Sequence, residues 1–92
     1  ERYLLRVQGT IDLSTQDEFH RALQKAASDE THPEVAIDLR GIDFIGTSGV
    51  SLILKTLHHL RDHRRSLKVI DCSPRAARVF SLLKVDYLLP AS

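Results

Sequence analysis

Ninety-two residues, 42% hydrophobic and 27% charged, suffice for one modest core and not for two domains. Thirteen Lys and Arg against twelve Asp and Glu leave a formal charge of +1, a balance that by itself gives no argument for nucleic acid or an anionic membrane surface as the partner, and no nucleic-acid partner is expected. A single cysteine excludes an internal disulfide and a thiolate metal cage. The sequence also holds no apolar run of the ~18 residues a membrane span needs and no basic-then-apolar leader, so a reducing, cytoplasmic setting without membrane insertion is expected.

Residues 3–7 read as a strand that Gly9 ends. Residues 14–27 read as a helix, because Phe19, Ala22, Leu23 and Ala26 recur at helical spacing. Ser14 or Thr15 offers its N-cap, with Asp17 or Glu18 in the capping-box position three residues on. After a polar loop over 28–33, residues 35–39 form a nearly unbroken apolar run, as a strand covered on both faces requires, and Gly41 marks the turn after it. A second helix is expected from about Ser48 to His63, with Val50, Ile53, Leu54, Leu57 and Leu60 on one side. Leu52 falls off that stripe, which implies broader burial of the first turns. Residues 67–70 give a third strand, and Ser73-Pro74 starts a helix with Pro at its first position. From that helix Ala76, Val79, Phe80 and Leu83 should face inward, and the apolar tail at 85–90 should pack back onto the body.

Three strand–helix units joined by short loops imply an α/β fold over residues 1–92. Its single-layer, mostly parallel (mixed) sheet is packed with helices through right-handed crossovers. Partners of such sheets meet the loops at the carboxyl ends of the strands, so segments 9–12, 40–48 and 71–73 should gather at one end. Thr47 and Ser48 stand there at a helix N-terminus, where free N–H groups and the positive end of the macrodipole meet, and either one can be the N-cap. Gly46 and Gly49 let the backbone around them bend sharply. On the residues alone, Thr47 reads equally as a cap or as a phosphate acceptor, and Asp12 as a turn residue or a partner contact. Asp38 and Asp43 flank the loop, either orienting it or as solvated carboxylates.

Other chemistries fit less well. Gly46-Thr47-Ser48-Gly49-Val50 has Val where a nucleophile elbow needs its second Gly. A base would have to come from His20, His32, His58, His59 or His63, three of them in the second helix beyond the loop. No catalytic residue is therefore expected. His59 and His63 have the spacing of a zinc pair but no third ligand nearby in sequence, so no metal or cofactor is expected either. The basic segment 61–68 reads as a helix C-terminus complementing its own dipole, and Cys72 as a packing residue.

Gly9-Thr10-Ile11-Asp12, then Asp38-Leu39-Arg40-Gly41-Ile42-Asp43-Phe44-Ile45, then Thr47-Ser48-Gly49-Val50, in this order and spacing, resemble a STAS domain. This is the fold of bacterial anti-sigma-factor antagonists, found also in stress-signalling complexes and at the cytoplasmic end of anion transporters. The resemblance runs from about Leu4 to Leu89. It implies a phospho-switchable regulatory module whose unphosphorylated form binds an anti-sigma factor, itself a serine/threonine protein kinase using ATP. Carried onto this chain, the acceptor is Thr47, with Ser48 as second choice, and the partner-binding set is Asp12, Gly46, Thr47, Ser48, Gly49 and Ser51. Two departures stand out. Gly46 occupies the position where the family usually has aspartate, and family members often carry one more strand ahead of residues 3–7, whose absence would leave that edge open to another chain. The resemblance equally implies an alternative, a regulatory domain of a transporter, including a lipid-transport ATPase subunit.

Overall fold

The computed structural model describes residues 2–90. Strands β1 (Arg2–Ile11), β2 (Glu34–Ile45) and β3 (Ser66–Cys72) alternate with helices α1 (Gln16–Ser28), α2 (Thr47–Asp62) and α3 (Pro74–Leu82), and a 3-10 turn spans Asp86–Leu88. The sheet order is β1-β2-β3, and both pairings are parallel; no antiparallel strand occurs among the described residues. Two right-handed crossovers stepping in the same direction put α1 and α2 on the same face, where the two helices pack against each other.

Val35, Ala36, Ile37, Asp38 and Leu39 are all buried. Successive strand side chains point to opposite faces, so both faces of β2 are covered. Val35 and Ile37 stand in register with Tyr3 and Leu5 on one side and Leu67 and Val69 on the other. They join Phe19, Leu23 and Ala26 of α1 and Val50, Ile53, Leu57 and Leu60 of α2 in one apolar cluster. On the opposite face Ala36 lies between Leu4 and Lys68. There Lys68 and Ile70 line a depression together with Tyr87, Leu88 and Leu89, so the tail does fold back onto the sheet. Helix α3 packs on β2 through buried Ala76 and Phe80, whereas Leu83, expected to face inward, is 40% exposed because the helix ends at Leu82.

Both long strands run past the glycines expected to end them. Gly9, at φ +92°, lies inside β1, and Gly41 lies inside β2 directly opposite Gln8. The ladder slips between Arg6 and Gln8 and again between Gly9 and Thr10. A Cβ on Gly41 would sit 2.6 Å from Gln8 Cβ, so here glycine marks bulges that keep the strands paired rather than a turn. Asp38, the only buried polar side chain among the described residues, is also removed from the loop it was expected to flank. It accepts from Arg40 Nη2 (2.9 Å), Arg40 N (3.0 Å) and Arg6 Nε (3.4 Å), and the Arg40 guanidinium above all holds its carboxyl below the usual range.

The basic segment after α2 serves the neighbouring helix. Arg64 adopts φ 59°, and Arg65 then reaches back to the C-terminus of α1. Its guanidinium donates to Asp29 O (2.7 Å), His32 O (3.0 Å), Ala26 O (3.5 Å) and Ala27 O. These carbonyls belong to the last turn of α1 and the loop after it, at the negative pole of the α1 dipole, and Ala26 O and Asp29 O also accept backbone N–H groups. Arg65→Ala is expected to cost about 2 kcal/mol by removing these charge-assisted hydrogen bonds. In a thermal melt that is a loss of roughly 10 °C for a domain of this size. Arg65→Lys should recover less than half of it, since a single ammonium cannot reproduce the planar fork.

Candidate functional site

The carboxyl ends of β1 and β2 are tied by one hydrogen bond, from Gly46 N to Ile11 O at 2.9 Å. Gly46 is the N-cap of α2, and its carbonyl accepts from Gly49 N (3.0 Å) and Val50 N (3.3 Å). Thr47, the first residue of the helix, is exposed; Ser48 is half-buried and Ser51 exposed. No side chain caps this helix and no acid stands in its first turn. The N–H groups of Thr47 and Ser48 therefore have no acceptor among the described residues.

The two glycines act differently from the expected flexible pair. Gly46 has φ −79° and ψ 168°, a conformation open to any residue. A Cβ there would meet only Ile11 O and Phe44 Cε2, each at 3.7 Å. Gly49 is buried, so it offers no surface to a partner, and a Cβ on it would stand 2.9 Å from both Ile11 Cγ2 and Ile45 Cγ1. Its smallness is what lets α2 sit down on the strand ends. Because Gly46 leaves room, Gly46→Asp should fold normally and place a carboxylate within reach of the first-turn N–H groups. A thermal melt should show stability unchanged or raised by a few tenths to about 1 kcal/mol.

Asp12 lies beside this junction, one residue past Ile11, but its carboxylate works within its own turn. Oδ1 accepts from Ser14 Oγ (2.7 Å) and Ser14 N (2.9 Å), and these bonds hold the carboxyl below its ordinary range. Thr15 is the N-cap of α1 without capping it: its hydroxyl accepts from Asp12 N (2.9 Å) and donates to Thr10 O (2.8 Å). The expected capping box is replaced by a turn that fastens the β1–α1 loop. Asp43 is exposed.

The third loop meets segment 40–48 at its near end, with Arg40 Nε 3.4 Å from Asp71 Oδ2, rather than at Thr47. Ser73 is anchored to β2 by its N–H to Leu39 O (3.1 Å) and its hydroxyl to Ile42 O (2.7 Å), while the hydroxyl also caps Ala76 N. From Ile42, β2 runs on three residues to Ile45, about 10 Å at the rise of a strand. The candidate site is thus built from two loops. Cys72 sits by the third, half-buried; burial, with Asp71 beside it, pushes its thiol up to about 11, which suits packing rather than nucleophilic attack.

Between α1 and α2 a depression of about 270 Å³ is lined by Gln16, Asp17, His20, Ser48, Ser51, Leu52 and Lys55. Leu52, off the apolar stripe in sequence, forms part of this wall. Gln16 Oε1 is enclosed without a hydrogen-bond partner among the described residues, a feature with no signal in the sequence. His20 lines the same depression. The His59 and His63 rings lie 4.5 Å apart, with His63 Nδ1 2.8 Å from His59 O, so that ring nitrogen is engaged by its own helix.

Comparison with known proteins gives a consistent set of matches. A family model described as "Mlab, STAS domain" matches residues 1–90. An anti-sigma-B factor antagonist of Staphylococcus epidermidis is 26% identical over 87 residues, covering 95% of this chain and 80% of that protein. Among solved structures, the anti-sigma factor antagonist SpoIIAA in its unphosphorylated form superposes with a TM-score of 0.83 at 17% identity, over 100% of this chain and 80% of that one. An anti-sigma factor antagonist from Mycobacterium paratuberculosis gives 0.81 at 24% identity, over 95% and 73%. At such identities the structural matches establish the fold.

Proposed function

The chain belongs to the STAS domain family, and on that premise we propose that it is a phospho-switchable protein-binding module of the anti-sigma-factor antagonist type, with Thr47 as acceptor. The observation that carries the reading is an exposed hydroxyl on the first residue of α2, above N–H groups that no side chain caps. Helix N-termini favour negative charge by about 0.3–1 kcal/mol, so a phosphate there leaves the fold intact and acts through the partner. Unphosphorylated, the module binds in the cytoplasm to an anti-sigma factor that is also a kinase using ATP. Thr47, Ser48 and Ser51 meet that partner, Asp12 and Gly46 shape the surface, and Gly49 seats the helix. The module itself performs no catalysis.

Incubation with ATP and the purified anti-sigma-factor kinase of the same organism tests this. One phosphate is expected, located on Thr47 by fragmentation mass spectrometry, absent from Thr47→Ala and retained in Ser48→Ala. No transfer, or transfer to Ser48 alone, overturns the assignment.

A second reading keeps the fold and changes the partner, making the chain a regulatory domain of a transporter such as a lipid-transport ATPase. Gly46 favours it, since no carboxylate stands beside Thr47. Stable co-purification with a transport ATPase subunit, without phosphate transfer, would select it.

A further inference from the structure

Six large hydrophobic residues are exposed among those described: Leu4, Leu13, Phe44, Leu82, Leu83 and Tyr87. Two of them fall at the Thr47 end. Phe44, 51% exposed, pairs in register with Thr10 and lies two residues before Gly46. The edge of its ring comes within 3.7 Å of the point where a Gly46 side chain would begin. Leu13, 82% exposed, lies two residues past Ile11, whose carbonyl takes the Gly46 N–H. Neither belongs to the core cluster. Exposed apolar side chains scattered singly need no explanation, but an exposed aromatic ring beside a bare glycine is of the kind enriched at interface cores, and Leu13 adds exposed apolar surface at the neighbouring strand end.

Charge adds a second constraint. The segments that build this end, residues 9–19 and 41–54, contain Asp12, Asp17, Glu18 and Asp43 and no Lys, Arg or His. Arg40 is committed to Asp38 and Asp71, and Arg75 follows Ser73 at the level of Leu39 and Ile42. Lys55 and His20 line the α1–α2 side of this end with Ser48 and Ser51, so the site presents an apolar centre whose rim is acidic except on that side.

Given the docking role proposed for Thr47, on which this assignment rests, we infer that Leu13 and Phe44 are the anchors by which the partner protein grips that end, and that the partner's matching surface is an apolar pocket rimmed by Lys and Arg. Thr47 lies beside these anchors, so a phosphate on it would add charge at the contact and lose water on docking.

Surface plasmon resonance with the purified anti-sigma-factor kinase of the same organism tests the inference. Phe44→Ala and Leu13→Ala should each weaken binding about 30-fold or more, mainly through faster dissociation. Their circular dichroism spectra should match the parent, because both side chains are exposed. Glu18→Gln combined with Asp43→Asn should slow association and flatten its salt dependence while leaving dissociation unchanged. If the parent binds and both apolar variants bind within about threefold of it, the anchors are wrong while the Thr47 reading stands. If the charge variant associates faster, the basic rim is wrong. If the parent does not bind the kinase at all, the functional reading falls and takes the anchors with it.

Discussion

Thr47→Glu is expected to fold as stably as the parent and to bind its protein partner at least about 100-fold more weakly. The two halves of that expectation have different sources. Thr47 is exposed and opens α2, whose first turn contains no acid and whose N-cap has no side chain. A carboxylate there meets unpaired N–H groups and the positive pole of the dipole, worth about 0.3–1 kcal/mol in its favour, so the melting temperature should hold or rise slightly. Binding is another matter. A charge carried into a close-packed contact without a counter-ion costs several kcal/mol, and about 2.7 kcal/mol already corresponds to two orders of magnitude in affinity. Thr47→Ala, which adds no charge, should bind like the parent and remain bound when ATP is supplied. Isothermal titration of both variants, with thermal melts alongside, separates the effects. Equal affinity for Thr47→Glu and the parent would mean that the hydroxyl does not face the partner.

Much of this arrangement can be read from residue pattern, and the misreadings have a common physical origin. Helical stripes such as Phe19, Leu23 and Ala26, and the two-sided apolar run at 35–39, report burial directly, and burial is what those elements show. Ser73-Pro74 predicts its own cap, which forms with Ala76 N. Glycine is harder, because one residue type answers to three causes. Gly9 is needed for a positive φ, Gly41 for the close approach of Gln8 and Gly49 for contact between a helix and two isoleucines. None of these is distinguishable from a turn without the partner strand in view, so β1 and β2 were expected to stop several residues early. That shortening also placed the β3 loop at the functional end, when β2 in fact outruns it. Thr15 shows the same limit: its hydroxyl had a cap position available and took a strand carbonyl brought near by folding. Phe44 and Leu13 carry no sequence signal as surface residues, because an apolar side chain beside a strand end is ordinarily core.

Gly49→Ala discriminates between a glycine retained for bending and one retained for contact. If flexibility around Thr47 were the requirement, Gly46 and Gly49 would be comparably sensitive, since they bracket the same two residues. The contacts say otherwise. A methyl group on Gly49 would overlap Ile11 Cγ2 and Ile45 Cγ1 at 2.9 Å and crowd Ile45 Cδ1 at 3.2 Å, all of them in or beside the fully packed core. Neither isoleucine is free to move, because Ile11 and Ile45 are 3% and 0% exposed and stand in register on adjacent strands. Overpacking of this kind costs about 1–3 kcal/mol, or roughly 5–20 °C in melting temperature for a domain of this size. The strain is relieved by lifting the first turn of α2 off the strand ends, which moves Thr47 with it. Partner affinity measured well below the melting temperature should therefore fall in Gly49→Ala even when the protein is fully folded. Gly46→Ala, whose new methyl meets nothing closer than 3.7 Å, should lose no more than the modest cost of an alanine at an N-cap, about 0.5–1 kcal/mol. A Gly49→Ala protein as stable as the parent and as tightly bound would show that the helix is not seated by this contact.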